Sequence, residues 1–187
     1  MGRSSQHKAR ENRAKIVETA CAMFRESGVE NVSVAQVMAA NGMTVGGFYK
    51  QFESRDALIA EAFALAFEQS GQTWKNVFAR ADTKAEPRAA TLVRQYLRNS
   101  TAKQRCPLLA FAVPVATGAV DGTCADAYRE GSQGLFEVFV EQMPAGQEQQ
   151  AKVLFAAMLG ARLLAQAAGD APWVKAVEAA VNQAASA

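Results

Sequence analysis

Residues 33–55, SVAQVMAANGMTVGGFYKQFESR, decide how this chain reads. They fit two short helices joined by a tight turn, followed at once by a third helix start. Ser33 with Gln36 matches a capping box, and Val34, Val37 and Met38 then fall on one helical face. Asn41-Gly42 supplies the turn, and Thr44 is the expected N-cap of a helix over residues 44–52. There Val45, Phe48, Tyr49 and Phe52 recur at i, i+3, i+4 and i+7, making one apolar face. Gly46, Gly47, Lys50 and Gln51 are left on the opposite face. Each glycine costs so short a helix about 1 kcal/mol relative to alanine. The gain is closeness: without side chains, a helix backbone can approach another rigid body such as a DNA groove.

Residues 11–59, about a quarter of the chain, resemble the DNA-binding domain of the TetR family of transcriptional repressors. The matching elements are IVETACAMFRESG (residues 16–28), the helix-turn-helix itself, GFYKQF (residues 47–52) and SRDAL (residues 54–58), which opens a fourth helix. The resemblance implies an all-α fold with about nine helices. An N-terminal three-helix domain with a basic arm, residues 1–55, would be joined through the long fourth helix to a helical effector-binding and dimerisation domain, residues 56–187. It also implies a ligand- or redox-responsive regulator, a repressor by family tendency. Such a protein binds a palindromic DNA operator as a homodimer and is released by a small apolar effector or by thiol modification. Carried over residue by residue, Thr44, Tyr49 and Lys50 hold phosphates, with Ser33 and Arg55 in support. Base edges fall to Val45, Gly46 and Gly47, with Gln51 or Lys50 as further readers.

Charge distribution agrees with a nucleic-acid partner. Residues 1–55 hold eight Lys/Arg against five acids, whereas residues 56–187 hold twelve against thirteen. Arg3, Lys8, Arg10, Arg13 and Lys15 form a basic arm, expected to be flexible and to neutralise phosphates beside the helix-turn-helix; the bland alternative is a solvated tail. The N-terminal segment lacks the apolar core of a secretory signal, and no uninterrupted apolar run reaches the ~18 residues of a membrane span. Three cysteines, Cys21, Cys106 and Cys124, argue for a reducing compartment and hence a cytoplasmic protein.

Beyond the first domain the periodicity is helical throughout. Helix one is expected over residues 11–27, and helix four from the Ser54 cap to about Arg80. Further helices are expected over residues 87–101, 107–120, 124–142, 147–168 and 172–185. The segment 153–168 is apolar nearly all round, so burial on more than one side is expected. By order along the chain, the resemblance assigns the last two helices to a homodimer bundle, with Ala157, Gly160, Ala161, Leu164, Ala165, Val177 and Ala180 as interface positions. Packing within one chain would use the same small residues.

Aromatic residues from several helices, Trp74, Phe78 and Phe111 among them, are candidate walls of an apolar effector pocket; plain core is the competing use. Cys106 precedes Pro107, whose expected place at a first helical position makes Cys106 the N-cap. Helix dipole and the neighbouring Arg105 would then favour thiolate, a reactive switch, while the alternative is an unreactive, half-buried thiol. The sequence calls for no cofactor and offers no metal site: its only histidine is His7, in the arm. A Cys–His nucleophile is therefore poorly supplied, and no phosphate-loop signature accompanies the glycines, so an enzyme is not expected. A helical protein-interaction module without DNA contact is the remaining alternative.

Overall fold

The computed structural model describes residues 2–98 and 105–186. Among these, all regular structure is helical, in ten elements: α1 (Gly2–Ser27), α2 (Val34–Ala40), α3 (Val45–Phe48), α4 (Arg55–Thr83), α5 (Arg88–Leu97), α6 (Pro107–Ala110), α7 (Ala112–Ala116), α8 (Gly122–Val140), α9 (Glu148–Ala168) and α10 (Pro172–Ala184). The extra helix arises where one was expected over 107–120. Phe111, at φ −109° and ψ −2°, closes α6, and α7 begins beyond it. Pro114 has no N–H to give to residue 110 and its ring crowds that carbonyl, which favours the break.

The helix ends follow local rules. Gly28, at φ +87°, closes α1, with its N–H on the Phe24 carbonyl at 3.0 Å. Ser54 caps α4 through Oγ, which accepts from the Ala57 N–H at 3.0 Å. At its other end α1 departs from expectation: it begins at Gly2, so the basic arm is helical and not a flexible tail. His7 and Glu11 stand 3.4 Å apart at i, i+4 along it. The side chain of Arg3 lies outside the described residues, as does the expected end of the 87–101 helix; α5 itself closes at Leu97.

The chain forms two compact units. The first comprises Met1–Glu68 with Thr101–Ser132, so the boundary expected at residue 55 falls inside it. Its core gathers Ile16, Phe24, Met38, Phe48, Ile59 and Phe63 with Phe111, all essentially inaccessible. Phe63 and Phe111 stack at 4.0 Å between centroids. Tyr128 packs edge-on against Phe67 at 5.6 Å and donates its hydroxyl to the Leu108 carbonyl at 2.9 Å. Helix α8 comes so close to α4 at Gly131 that a Cβ there would fall 2.3 Å from the Phe67 ring.

The second unit comprises Gln69–Ser100 with Gln133–Ala187. Phe155 is its aromatic hub, with Phe136 at 5.3 Å, Phe139 at 5.6 Å and Trp74 at 6.5 Å. Helix α9 packs on α10 and α5, burying Ala151, Leu154, Met158, Ala161 and Arg162. Within one chain only that one side of α9 is covered. Val153, Leu163 and Leu164 remain exposed, and α10 leaves Trp173 exposed as well. Among the described residues α9 alone is long and apolar enough to cross a membrane, by length and composition.

Candidate nucleic-acid interface

The helix-turn-helix is built by short-range bonds. Ser33 and Gln36 form the full capping box: the Gln36 N–H donates to Ser33 Oγ at 3.2 Å, and the Ser33 N–H to Gln36 Oε1 at 2.7 Å. Gly42, at φ +68°, carries the turn after α2, a conformation that glycine adopts without strain. Asn41 fixes that turn to two helices, its Nδ2 donating to the Val37 carbonyl at 2.9 Å and its Oδ1 accepting from Thr19 Oγ1 at 3.2 Å.

Helix α3 is shorter than the expected 44–52. It spans four residues, Val45–Phe48, and continues as a tight turn in which the Gln51 and Phe52 N–H groups both reach the Phe48 carbonyl. Shortening splits the expected apolar face. Phe48 and Phe52 are buried and stack at 5.2 Å, whereas Val45 is 43% and Tyr49 68% exposed. A Val and a Tyr held out in solvent beside two glycines make a surface suited to contact, with apolar reach and one hydroxyl. Thr44 occupies the N-cap position, but its hydroxyl makes no capping bond. Lys50 and Gly46 are exposed, and Gly47 and Gln51 half-buried. A Cβ at Gly46 would meet no atom within 4 Å, and one at Gly47 only Met38 Cε at 3.7 Å and Thr44 Oγ1 at 4.0 Å. Neither glycine is therefore needed for packing within the chain.

Two arginines do structural work that sequence reading did not foresee. Arg13 lies over the Phe52 ring at 4.1 Å and forms an ion pair with Glu61, joining α1 to α4 and to the end of the helix-turn-helix. No spacing rule reveals such a contact, since Glu61 lies 48 residues away. Arg55 donates Nη2 to the Val29 carbonyl and, at 3.3 Å, to that of Val32, bracing the α1–α2 connection. Ser33 is likewise engaged in its cap, though exposed. Among the candidates, Thr44, Val45, Gly46, Gly47, Tyr49, Lys50 and Gln51 share one short segment, with Ser33 and Arg55 placed beside its frame.

The effector candidates do not share a unit. Trp74 and Phe78 are buried in the second; Phe111, stacked on Phe63, belongs to the core of the first, as does half-buried Cys106 at the N-cap of α6. The carbonyl of Arg105 accepts from Arg25 Nε at 2.7 Å, tying the approach to α6 onto α1. The other cysteines are sealed. Cys124 is inaccessible, its Sγ donating to the Asp56 carbonyl at 3.3 Å, and burial, reinforced by Asp121, pushes its thiol up to about 12. Burial also raises the Cys21 thiol, against the opposing pull of Arg25. No cluster of potential metal ligands occurs among the described residues. Of the candidate dimer positions, Ala157, Gly160, Ala165 and Val177 are half-buried, while Leu164 and Ala180 are exposed. Ala161 is 2% exposed within its own chain.

Residues 16–62 match the family described as bacterial regulatory proteins, tetR family. The HTH-type transcriptional regulator AcrR of Shigella flexneri is 29% identical over 72 residues, 38% of this chain; the match spans about a third, 34%, of that relative's length. Two solved structures share the fold over nearly the whole chain. A TetR-family regulator from Cytophaga hutchinsonii gives a TM-score of 0.78 at 15% identity, covering 95% of this chain and 94% of its own. The reduced form of E. coli NemR gives 0.75 at 17% identity, covering 92% and 97%. The sequence match thus falls on the helix-turn-helix segment of a family of bacterial regulatory proteins, and the fold is one that TetR-family structures share. The chain is similar to the tetR family in its sequence over residues 16–62 and to TetR-family structures in its fold.

Proposed function

We propose that the protein is a homodimeric repressor that binds a roughly palindromic operator. The observation carrying this reading is the surface of the α3 segment: Val45, Tyr49 and Lys50 stand exposed around two glycines whose missing side chains serve no internal packing. Each α3 segment lies in a major groove, with Thr44, Tyr49 and Lys50 on phosphates and Val45, Gly46, Gly47 and Gln51 facing base edges. Ser33 and Arg55 act by holding the frame. Lys8, Arg10 and Lys15, exposed on the helical arm, add phosphate charge.

Dimerisation runs through α9 and α10. Val153, Ala157, Gly160 and Leu164 recur along α9 at helical spacing, and Trp173, Val177 and Ala180 along α10. An exposed apolar stripe of this kind on one side of an otherwise packed helix is suited to a partner helix from a second copy. A cytoplasmic location and a small effector that relieves repression belong to the same reading. The second mode of relief, modification of Cys106, rests on its half-exposed place at the N-cap of α6 and on the α1–α6 tie through Arg25. The residues 1–55 and 56–187 then divide reading from sensing. Selection of duplexes from a random pool by the purified protein tests the main claim: enrichment of a dyad-symmetric site is expected, and enrichment of nothing, by a folded dimer, would favour a protein-interaction module instead.

A further inference from the structure

Val45 opens α3 with 43% of its surface exposed, although its side chain is an isopropyl group with no donor or acceptor. Phe48 and Phe52 share its helical repeat and are buried, so the core has no use for Val45. The surface beside it is bare backbone: a Cβ at Gly46 would meet nothing within 4 Å. Gln51 is half-buried. Val45 is therefore the side chain of this segment that stands out beside open backbone while offering only apolar surface.

In the major groove guanine presents acceptors, cytosine an amino donor, and adenine one of each. Thymine presents an acceptor and its C5-methyl, the only apolar group on the four base edges. An isopropyl group pressed on a donor or acceptor would strip its water without replacing the hydrogen bond, which is costly. Pressed on a methyl, it removes apolar surface from water on both partners. We infer that Val45 selects a thymine in each operator half-site by contact with the C5-methyl, an inference that rests on the DNA-binding reading above and gives a base identity to it. The glycine at position 46 lets that contact form with no neighbouring side chain holding the groove away.

The test uses the full chain on a duplex selected from a random pool, with each thymidine in turn replaced by deoxyuridine, which lacks only the C5-methyl. Anisotropy titrations should find one position per half-site at which uracil weakens binding about fourfold, the loss of one buried methyl. Val45→Ala, at an exposed position, leaves the core intact. Measured at salt low enough for both proteins to bind, its affinities for the thymidine and uracil duplexes should agree within about twofold. Indifference of the wild type to every replacement, on a duplex that it binds, would overturn the inference and leave the DNA-binding reading standing. So would a uracil penalty undiminished in Val45→Ala, since another group would then hold the methyl. Failure to bind any duplex would overturn the DNA-binding reading, and the inference with it.

Discussion

A methyl group at position 46 would test why α3 carries glycine at all. In the free protein the new Cβ meets nothing within 4 Å, and the backbone there is not in the left-handed region. Gly46→Ala therefore removes no contact and gains helix propensity, up to ~1 kcal/mol in a helix interior and less in four residues. For 187 residues that corresponds to a Tm higher by roughly 1–4 °C. On DNA the same methyl stands between backbone and groove. Displacing the segment enough to lose one base contact, at about 1–3 kcal/mol, lowers affinity roughly fivefold to somewhat over a hundredfold. Gly47→Ala should behave alike, since its Cβ makes only ordinary contacts at 3.7 and 4.0 Å. Differential scanning fluorimetry gives the first quantity, and fluorescence anisotropy on a selected duplex the second. Unchanged DNA affinity in both variants would refute the argument that these glycines exist for close approach. A large drop in Tm would refute the local geometry instead.

Other outcomes follow from the same packing. Gly131→Ala, with its Cβ 2.3 Å from the Phe67 ring, should destabilise by about 1–3 kcal/mol less any propensity gain, while Gly134→Ala on the same helix, where a Cβ meets nothing, should be neutral or stabilising; paired denaturant titrations decide it. Gly160→Leu should leave the monomer fold intact, since a Cβ there is unobstructed, yet dissociate the dimer in sedimentation velocity; an undisturbed dimer would move the interface elsewhere. Cys124 supplies a pH signature. Its folded pKa of about 12 exceeds that of a free thiol near 9, so its contribution is fully present below about 9 and is lost as pH rises towards 12. Cys124→Ala should flatten that alkaline loss, and in the wild type alkylation at neutral pH should reach Cys106 before Cys21 or Cys124, as read by mass spectrometry.

What the sequence made legible was local. The Ser33–Gln36 box, the Asn41-Gly42 turn, the Gly28 stop and the Ser54 cap each depend on neighbours within about four residues, and each lies where its chemistry predicts. Periodicity told less, because it reports a spacing and not a partner. Val45, Phe48, Tyr49 and Phe52 share the helical repeat, yet the helix stops at Phe48, and Val45 and Tyr49 remain outside the core that holds the two phenylalanines. Apolar residues of α9 were expected to be covered; one face stays open because nothing in the same chain reaches it. The Arg13 contact with Phe52 and Glu61 depends on tertiary placement that no local pattern encodes. The bracing role of Arg55 needed the positions of the Val29 and Val32 carbonyls.

The salt dependence of operator binding, measured for the wild type and for Lys50→Ala, tests the central claim most directly. Lys50 is exposed, so its removal leaves the core untouched. If each half of a dimer places Lys50 on one phosphate, two counterion-releasing contacts vanish. The slope of log K against log salt should then become shallower by roughly two units, at about 0.9 per phosphate, with affinity falling at every salt concentration. An identical slope and affinity in the folded, dimeric variant would contradict the assignment of the α3 segment to DNA.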